Sequence, residues 1–163
     1  MEICNCTIPS PCLIVVMRSL FSRQAAPYYE TLIALRDEFD RFNVPVWLIT
    51  TDTEKELGKA ARRDQTGFQY ISDRDGILMR ALGTLQTRNC FGEEKEVLRT
   101  CAFVFEDCEP TVKYWRLKPE QLIELACKAF DIRYAQYRNS VAQDVLYRLY
   151  RDSGEMPSAD VSE

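Results

Sequence analysis

The sequence predicts an α/β fold in three layers, a central mixed sheet between covering layers, with an added helix at the carboxyl end. Three stretches carry that expectation. Cys12-Leu13-Ile14-Val15-Val16-Met17 and Val44-Pro45-Val46-Trp47-Leu48-Ile49-Thr50 are short, apolar and rich in β-branched residues, as buried strands are. Between them Tyr28, Leu32, Leu35, Phe39 and Phe42 recur at steps of four and three, which places them on one helical face. Two buried strands joined by an amphipathic helix make a right-handed parallel crossover. Further on, residues 98–105 and 111–117 read as an antiparallel hairpin, so the sheet is mixed.

The crossover helix has Pro27 near its start and is expected to stop near Asn43. Thr51 with Glu54 and Thr53 with Glu56 offer two overlapping capping boxes for a second helix ending before Gly67. Phe68-Gln69-Tyr70-Ile71 is a short strand, Ser72-Asp73-Arg74-Asp75-Gly76 a turn, and residues 77–82 a short helix closed by Gly83. Residues 84–98 are expected to form a polar loop or irregular hairpin, with Glu93-Glu94-Lys95-Glu96 as its solvated tip. In 111–117, Val112, Tyr114 and Arg116 fall on one face, Lys113 and Trp115 on the other. Pro119 opens a helix with Leu122, Leu125, Ala126, Ala129 and Phe130 on one face, and a further helical stretch follows from Asp131. The expected organisation is an extended lead-in over 1–11, a domain over 12–130, an additional helix over 131–152 and a disordered acidic tail over 153–163.

Composition narrows the function. At 163 residues the chain is one ordinary domain. A net charge of -4 argues against a general nucleic-acid binder, which needs a clustered Lys/Arg excess. The longest apolar run falls far short of the roughly 20 residues that span a bilayer. The amino terminus lacks the basic start and apolar region of a secretory signal, so the expected setting is a reducing, cytoplasmic compartment. There is no histidine, which removes Ser-His-Asp and Cys-His catalysis and imidazole ligation. Seven cysteines in such a setting read as free thiols rather than a disulfide framework.

In a parallel crossover, the connector after the first strand lies at the carboxyl edge of the sheet, where α/β proteins place their chemistry. Here that connector, residues 18–26, holds no cysteine and no carboxylate.

The element order is a thioredoxin-type arrangement, and four runs narrow it further. The run 44–52 resembles the strand of the peroxiredoxins (the alkyl hydroperoxide reductase/thiol-specific antioxidant family) that ends in a Ser-x-Asp-like turn. Residues 68–76 resemble that family's Phe-Pro-x-x-Ser-Asp-x-x-Gly segment, with Gln69 in the proline position. The helix ending in Leu82-Gly83 is similar to the one that follows in the family. Residues 98–107 are similar to the strand that carries the family's active-site arginine, here Arg99. The resemblance covers about residues 12–130. It implies a peroxidatic cysteine at the start of the first long helix, and counting back from Asp52 puts that position at Ala25. A shift of a few residues reaches Ser22 or Pro27, and still no thiol.

Among the remaining thiols, Cys101 stands two residues from Arg99. On one strand both would point the same way, and the guanidinium would lower the thiol pKa. The plainer reading is a small buried hydrophobe. Cys90, in the polar loop, is either an oxidisable redox thiol or an unreactive one. Cys4, Cys6 and Cys12 lack the second ligand pair of a closed zinc site, and no metal or other cofactor is expected. Asp73 and Asp75 read as turn residues rather than cation ligands. Two functions follow: a degenerate peroxiredoxin-like body acting through a protein partner or as a homo-oligomer, or a thiol-dependent antioxidant using Cys101 or Cys90 on a peroxide or thiol substrate. The Tyr-Arg neighbours of the last helix (Arg133-Tyr134, Tyr137-Arg138, Tyr147-Arg148, Tyr150-Arg151) mark either a docking face or arginines simply left in water.

Overall fold

A computed structural model describes residues 8–153. Its five-stranded sheet has the order β3-β2-β1-β6-β7. Strands β1 (Cys12–Val16), β2 (Val46–Thr50) and β3 (Gln69–Ser72) run parallel; β6 (Cys101–Glu106) and β7 (Glu109–Tyr114) are added antiparallel on the other side of β1. All five residues of β1 are buried, which is why the strand reads as an unbroken apolar run rather than an alternating one. The thioredoxin-like three-layer arrangement expected from the sequence is present.

The crossover helix comes in two pieces, α1 (Ala26–Ala34) and α2 (Arg36–Arg41). At Leu35 the amide is shared between the carbonyls of Thr31 (3.2 Å) and Leu32 (3.1 Å), a local tightening that shifts the axis without a proline or glycine. The expected end at Asn43 is a full Schellman motif: Asn43 has φ 54°, its N–H donates to Asp40, and Val44 N–H donates to Phe39. Of the two capping boxes, Thr53 with Glu56 starts α3 (Glu54–Asp64). Gly83, at φ 77°, closes α4 (Ile77–Ala81) by the same Schellman pattern, with Thr84 N–H on Met79 O.

Several boundaries differ from the sequence expectation. Residues 84–98 form a regular two-stranded ribbon, β4 (Leu85–Cys90) against β5 (Glu93–Leu98), turned by Phe91-Gly92 with positive φ at both positions. Glu93 to Glu96 is therefore strand, not tip, and Glu96 accepts two hydrogen bonds from Arg80 (3.0 and 2.8 Å) that fasten the ribbon to α4. Periodicity could not separate a short charged strand from a polar loop. Leu98 belongs to β5, and β6 starts only at Cys101. The two helical stretches after Pro119 are one helix, α5 (Pro119–Ser153), so no element boundary falls at 130/131. The segment after Ser153, expected to be a disordered tail, lies outside the described residues.

Two apolar clusters flank the sheet. On one face Leu13, Val15, Leu48, Ala102 and Val104 meet Leu32 and Phe39 of α1 and α2, Leu57 of α3, and Leu122, Leu125 and Ala129 of α5. On the other face Ile14, Val16, Cys101, Phe103 and Phe105 meet Met79 of α4, with Leu85 and Leu98 of the ribbon packed at the edge. Phe42 stacks on Phe130 at 4.7 Å, and Arg133 donates to Asn43 O at 2.8 Å. Beyond that anchor α5 leaves the body. Every residue from Tyr137 to Asp152 is exposed, a rod of about 25 Å at 1.5 Å per residue.

Leu122, with no exposed surface, joins α5 to the sheet. Its replacement by alanine is expected to lower stability by about 3 kcal/mol, read as a shift of the urea midpoint.

Candidate functional site

The connector from β1 to α1 is held at the carboxyl edge of the sheet by one carboxylate. Asp52, just past the end of β2 and 9% exposed, accepts from Ser19 Oγ (2.7 Å), Leu20 N–H (2.8 Å) and Thr50 Oγ1 (2.9 Å). Thr51 adds a backbone and a hydroxyl hydrogen bond to Arg18 O, at 3.0 and 2.6 Å. The helix tip that follows is closed on itself. Ser22 Oγ donates to Ser19 O (3.1 Å) and accepts from the Ala25 amide (3.2 Å), which also reaches Ser22 O (3.2 Å). Ala25 is 3% exposed. The tip thus presents a buried methyl group, and its amide is already taken by the chain.

Arg99 sits elsewhere. It lies in the two-residue link between β5 and β6, not on the strand, so the two-residue period does not set its direction. It nevertheless lines one cavity of about 210 Å³ together with Cys101, Gly83, Thr84, Arg88, Val97, Trp115 and Arg116. No residue of the connector 18–26 lines that cavity. Cys101 and Ala25 belong to the apolar clusters on opposite faces of the sheet.

Cys101 does not have the lowered pKa expected from its neighbour. Cys101 is 1% exposed, and burial pushes its pKa up to about 12, so it stays protonated. Cys12, the third of the amino-terminal cysteines, is likewise buried inside β1 and pushed up to about 12, while Cys4 and Cys6 lie outside the described residues. Cys90 ends β4 opposite Glu93 and is half-buried; Cys127 is exposed on α5. Among the described residues no three metal-ligating side chains converge. Asp73 is a turn residue as expected: its carboxylate accepts the amides of Leu78 (3.1 Å) and Met79 (2.8 Å) at the start of α4.

The AhpC/TSA family model matches residues 9–114. The chain belongs to the AhpC/TSA family. Its fold is that of several solved peroxiredoxins at low sequence identity. The bacterioferritin comigratory protein of Xanthomonas campestris is 16% identical, with a TM-score of 0.64 over 78% of this chain and 80% of that one. The peroxidoxin BcpB of Mycobacterium tuberculosis is 17% identical, TM-score 0.60, over 77% and 79%. PrxQ of Xylella fastidiosa, a cysteine-to-serine mutant, is 15% identical, TM-score 0.61, over 73% and 75%. No curated protein matches the chain.

Within this family member, sequence reading identified Arg99 and Cys101 as neighbours, and they do share a cavity. It missed Asp52 as the clamp on the connector, although Ser19, Thr50 and Asp52 were all in view. It also placed Arg116 on the face opposite Trp115. Because β7 ends at Tyr114, the alternation lapses and both residues line the Arg99 cavity.

The raised thiols set a pH dependence. Ordinary thiols ionise near 9.0, and Cys12 and Cys101 hold their protons to about 12 in the fold. Their contribution to stability is complete below about pH 9 and is lost as pH rises through 12, because only the unfolded chain releases the protons. The urea midpoint is expected to fall across that window with a shallower slope in C101A. With a thiol-specific alkylating reagent at pH 8, Cys127 is labelled while Cys12 and Cys101 are protected until denaturant is added.

Proposed function

We propose that this AhpC/TSA-family chain keeps the thioredoxin fold without thiol peroxidase chemistry at its helix tip, and acts through association with a second copy of itself. The observation that carries the first half is Ala25. The family resemblance puts the attacking thiol there, and the position holds a buried methyl group with its amide occupied by Ser22. Reduction of a peroxide needs a thiolate to attack the O–O bond and donors to stabilise the departing oxygen. Neither is on offer at this tip. Arg99, the family's arginine by the same resemblance, lines a cavity with the protonated Cys101 that no residue of the connector 18–26 lines.

The second half rests on α5. Tyr134, Val141, Val145 and Leu149, at spacings of seven, four and four, form an exposed apolar stripe, flanked by the exposed Leu146. Antiparallel pairing of two copies centred on Val145 sets Val141 against Leu149 and Arg138 against Asp152. Apolar contacts then fall in the seam and opposite charges at its ends.

Purified, reduced protein is expected to consume hydrogen peroxide no faster than free cysteine. Saturable turnover with a thioredoxin reducing system overturns the scaffold reading. Loss of that turnover in C90S or C101S would assign it to the thiol-dependent antioxidant alternative. Light scattering on a sizing column is expected to give a dimer at micromolar protein, with V145E running as a monomer. A parent protein that is strictly monomeric removes the association half.

A further inference from the structure

The cavity around Arg99 gathers three arginines from three parts of the fold: Arg88 from β4, Arg99 from the β5–β6 link and Arg116 from the segment after β7. No carboxylate lines it. Of the carboxylates of β5, Glu94 and Glu96 sit on the other face of the ribbon, Glu96 bound by Arg80; Glu93 shares the face of Arg88 but does not line the cavity, and directly across from Arg88 stands Lys95, a further cation. None of the three arginines makes an ion pair among the described residues, whereas Arg63 and Arg80 each have a carboxylate. Arg99 is half-buried, and its guanidinium pKa is held below the ordinary value by desolvation and by the charges of Arg116 and Arg88. Arginine does not give up its proton at neutral pH, so the strain of this grouping is repulsion, which a bound anion relieves.

We propose that Arg88, Arg99 and Arg116 form a binding site for a small, multiply charged anion of the phosphate class. Guanidinium forks match phosphate oxygens two at a time, and three forks around one concavity favour an anion with more than one charge. The volume sets an upper limit. About 210 Å³ is below the roughly 300 Å³ at which pockets for drug-sized ligands begin, so the site suits a compact oxyanion better than a whole nucleotide cofactor. Trp115 forms one wall, held edge-on to Phe103 at 5.4 Å, and Gly83 packs against its ring. Trp115 is therefore a fixed reporter of what enters. Anion binding here requires neither thiol chemistry at Cys101, which lines the same cavity, nor the α5 stripe.

The probe is inorganic pyrophosphate. In a W47F background Trp115 is the only tryptophan, since the chain has two. Titration with pyrophosphate is expected to change Trp115 fluorescence saturably below millimolar concentration, with a matching heat in calorimetry and weakening by sodium chloride. R99Q and R116Q each weaken binding about tenfold or more, R99K less, and R41Q, an exposed residue at the end of α2 outside the cavity, leaves it unchanged. Circular dichroism checks folding. If R99Q does not fold, exposed Arg116 decides the matter. Absence of saturable binding by the folded parent overturns the proposal, as does equal affinity in parent and R116Q.

Discussion

The buried carboxylate of Asp52 is the constraint on which the working edge of this protein depends. It satisfies a backbone amide of the connector and two hydroxyls at once, one from the connector and one from β2. In a partly buried site each of those donors would otherwise lose its hydration without replacement, at about 1–3 kcal/mol apiece. The connector therefore has one conformation, and that conformation delivers Ser19 and Ser22 to the tip of α1. Ser22 then occupies the Ala25 amide. A loop at the sheet edge where α/β proteins place their chemistry is here closed by its own serines.

The opposite face of the sheet has been furnished differently. The β4–β5 ribbon, inserted between α4 and β6, packs its Leu85 and Leu98 on the cluster that holds Met79 and brings Arg88 to the cavity lined by Cys101, Trp115 and Arg116. Charge is thus concentrated in a cavity that no residue of the connector 18–26 lines. Cys101 lies beneath the arginines, yet burial dominates its titration, as expected where a thiol has no solvent to ionise into. Proximity to a cation is not enough to activate a sulfur that the sheet has desolvated.

Helix α5 does two jobs along one axis. Its first half completes the core through Leu122, Leu125 and Ala129, and Phe130 locks into the aromatic group with Phe39 and Phe42. Along its second half, from Tyr137 to Asp152, every residue is exposed among the described residues. The same alternation of apolar and polar residues runs through both halves, so the sequence carries no mark of where the body ends.

Legibility followed the range of the forces. Strands β1 and β2, the Schellman end at Asn43, the capping box at Thr53 and the turn at Asp73 were readable because each is decided by residues within a few positions of one another. The break at Leu35, the ribbon at 85–98 and the start of β6 at Cys101 were not, since charged strands and tightened turns leave no periodic signature. By itself the sequence determined an α/β protein with no thiol and no histidine at its first helix tip, and four short runs that resemble the AhpC/TSA family, because each of these is a local feature. Only the tertiary structure decided that Cys101 and Ala25 stand on opposite faces of the sheet, and that Arg88, Arg99 and Arg116 converge. Those facts depend on strand order and on where an inserted ribbon lies, which are long-range properties of the packed core.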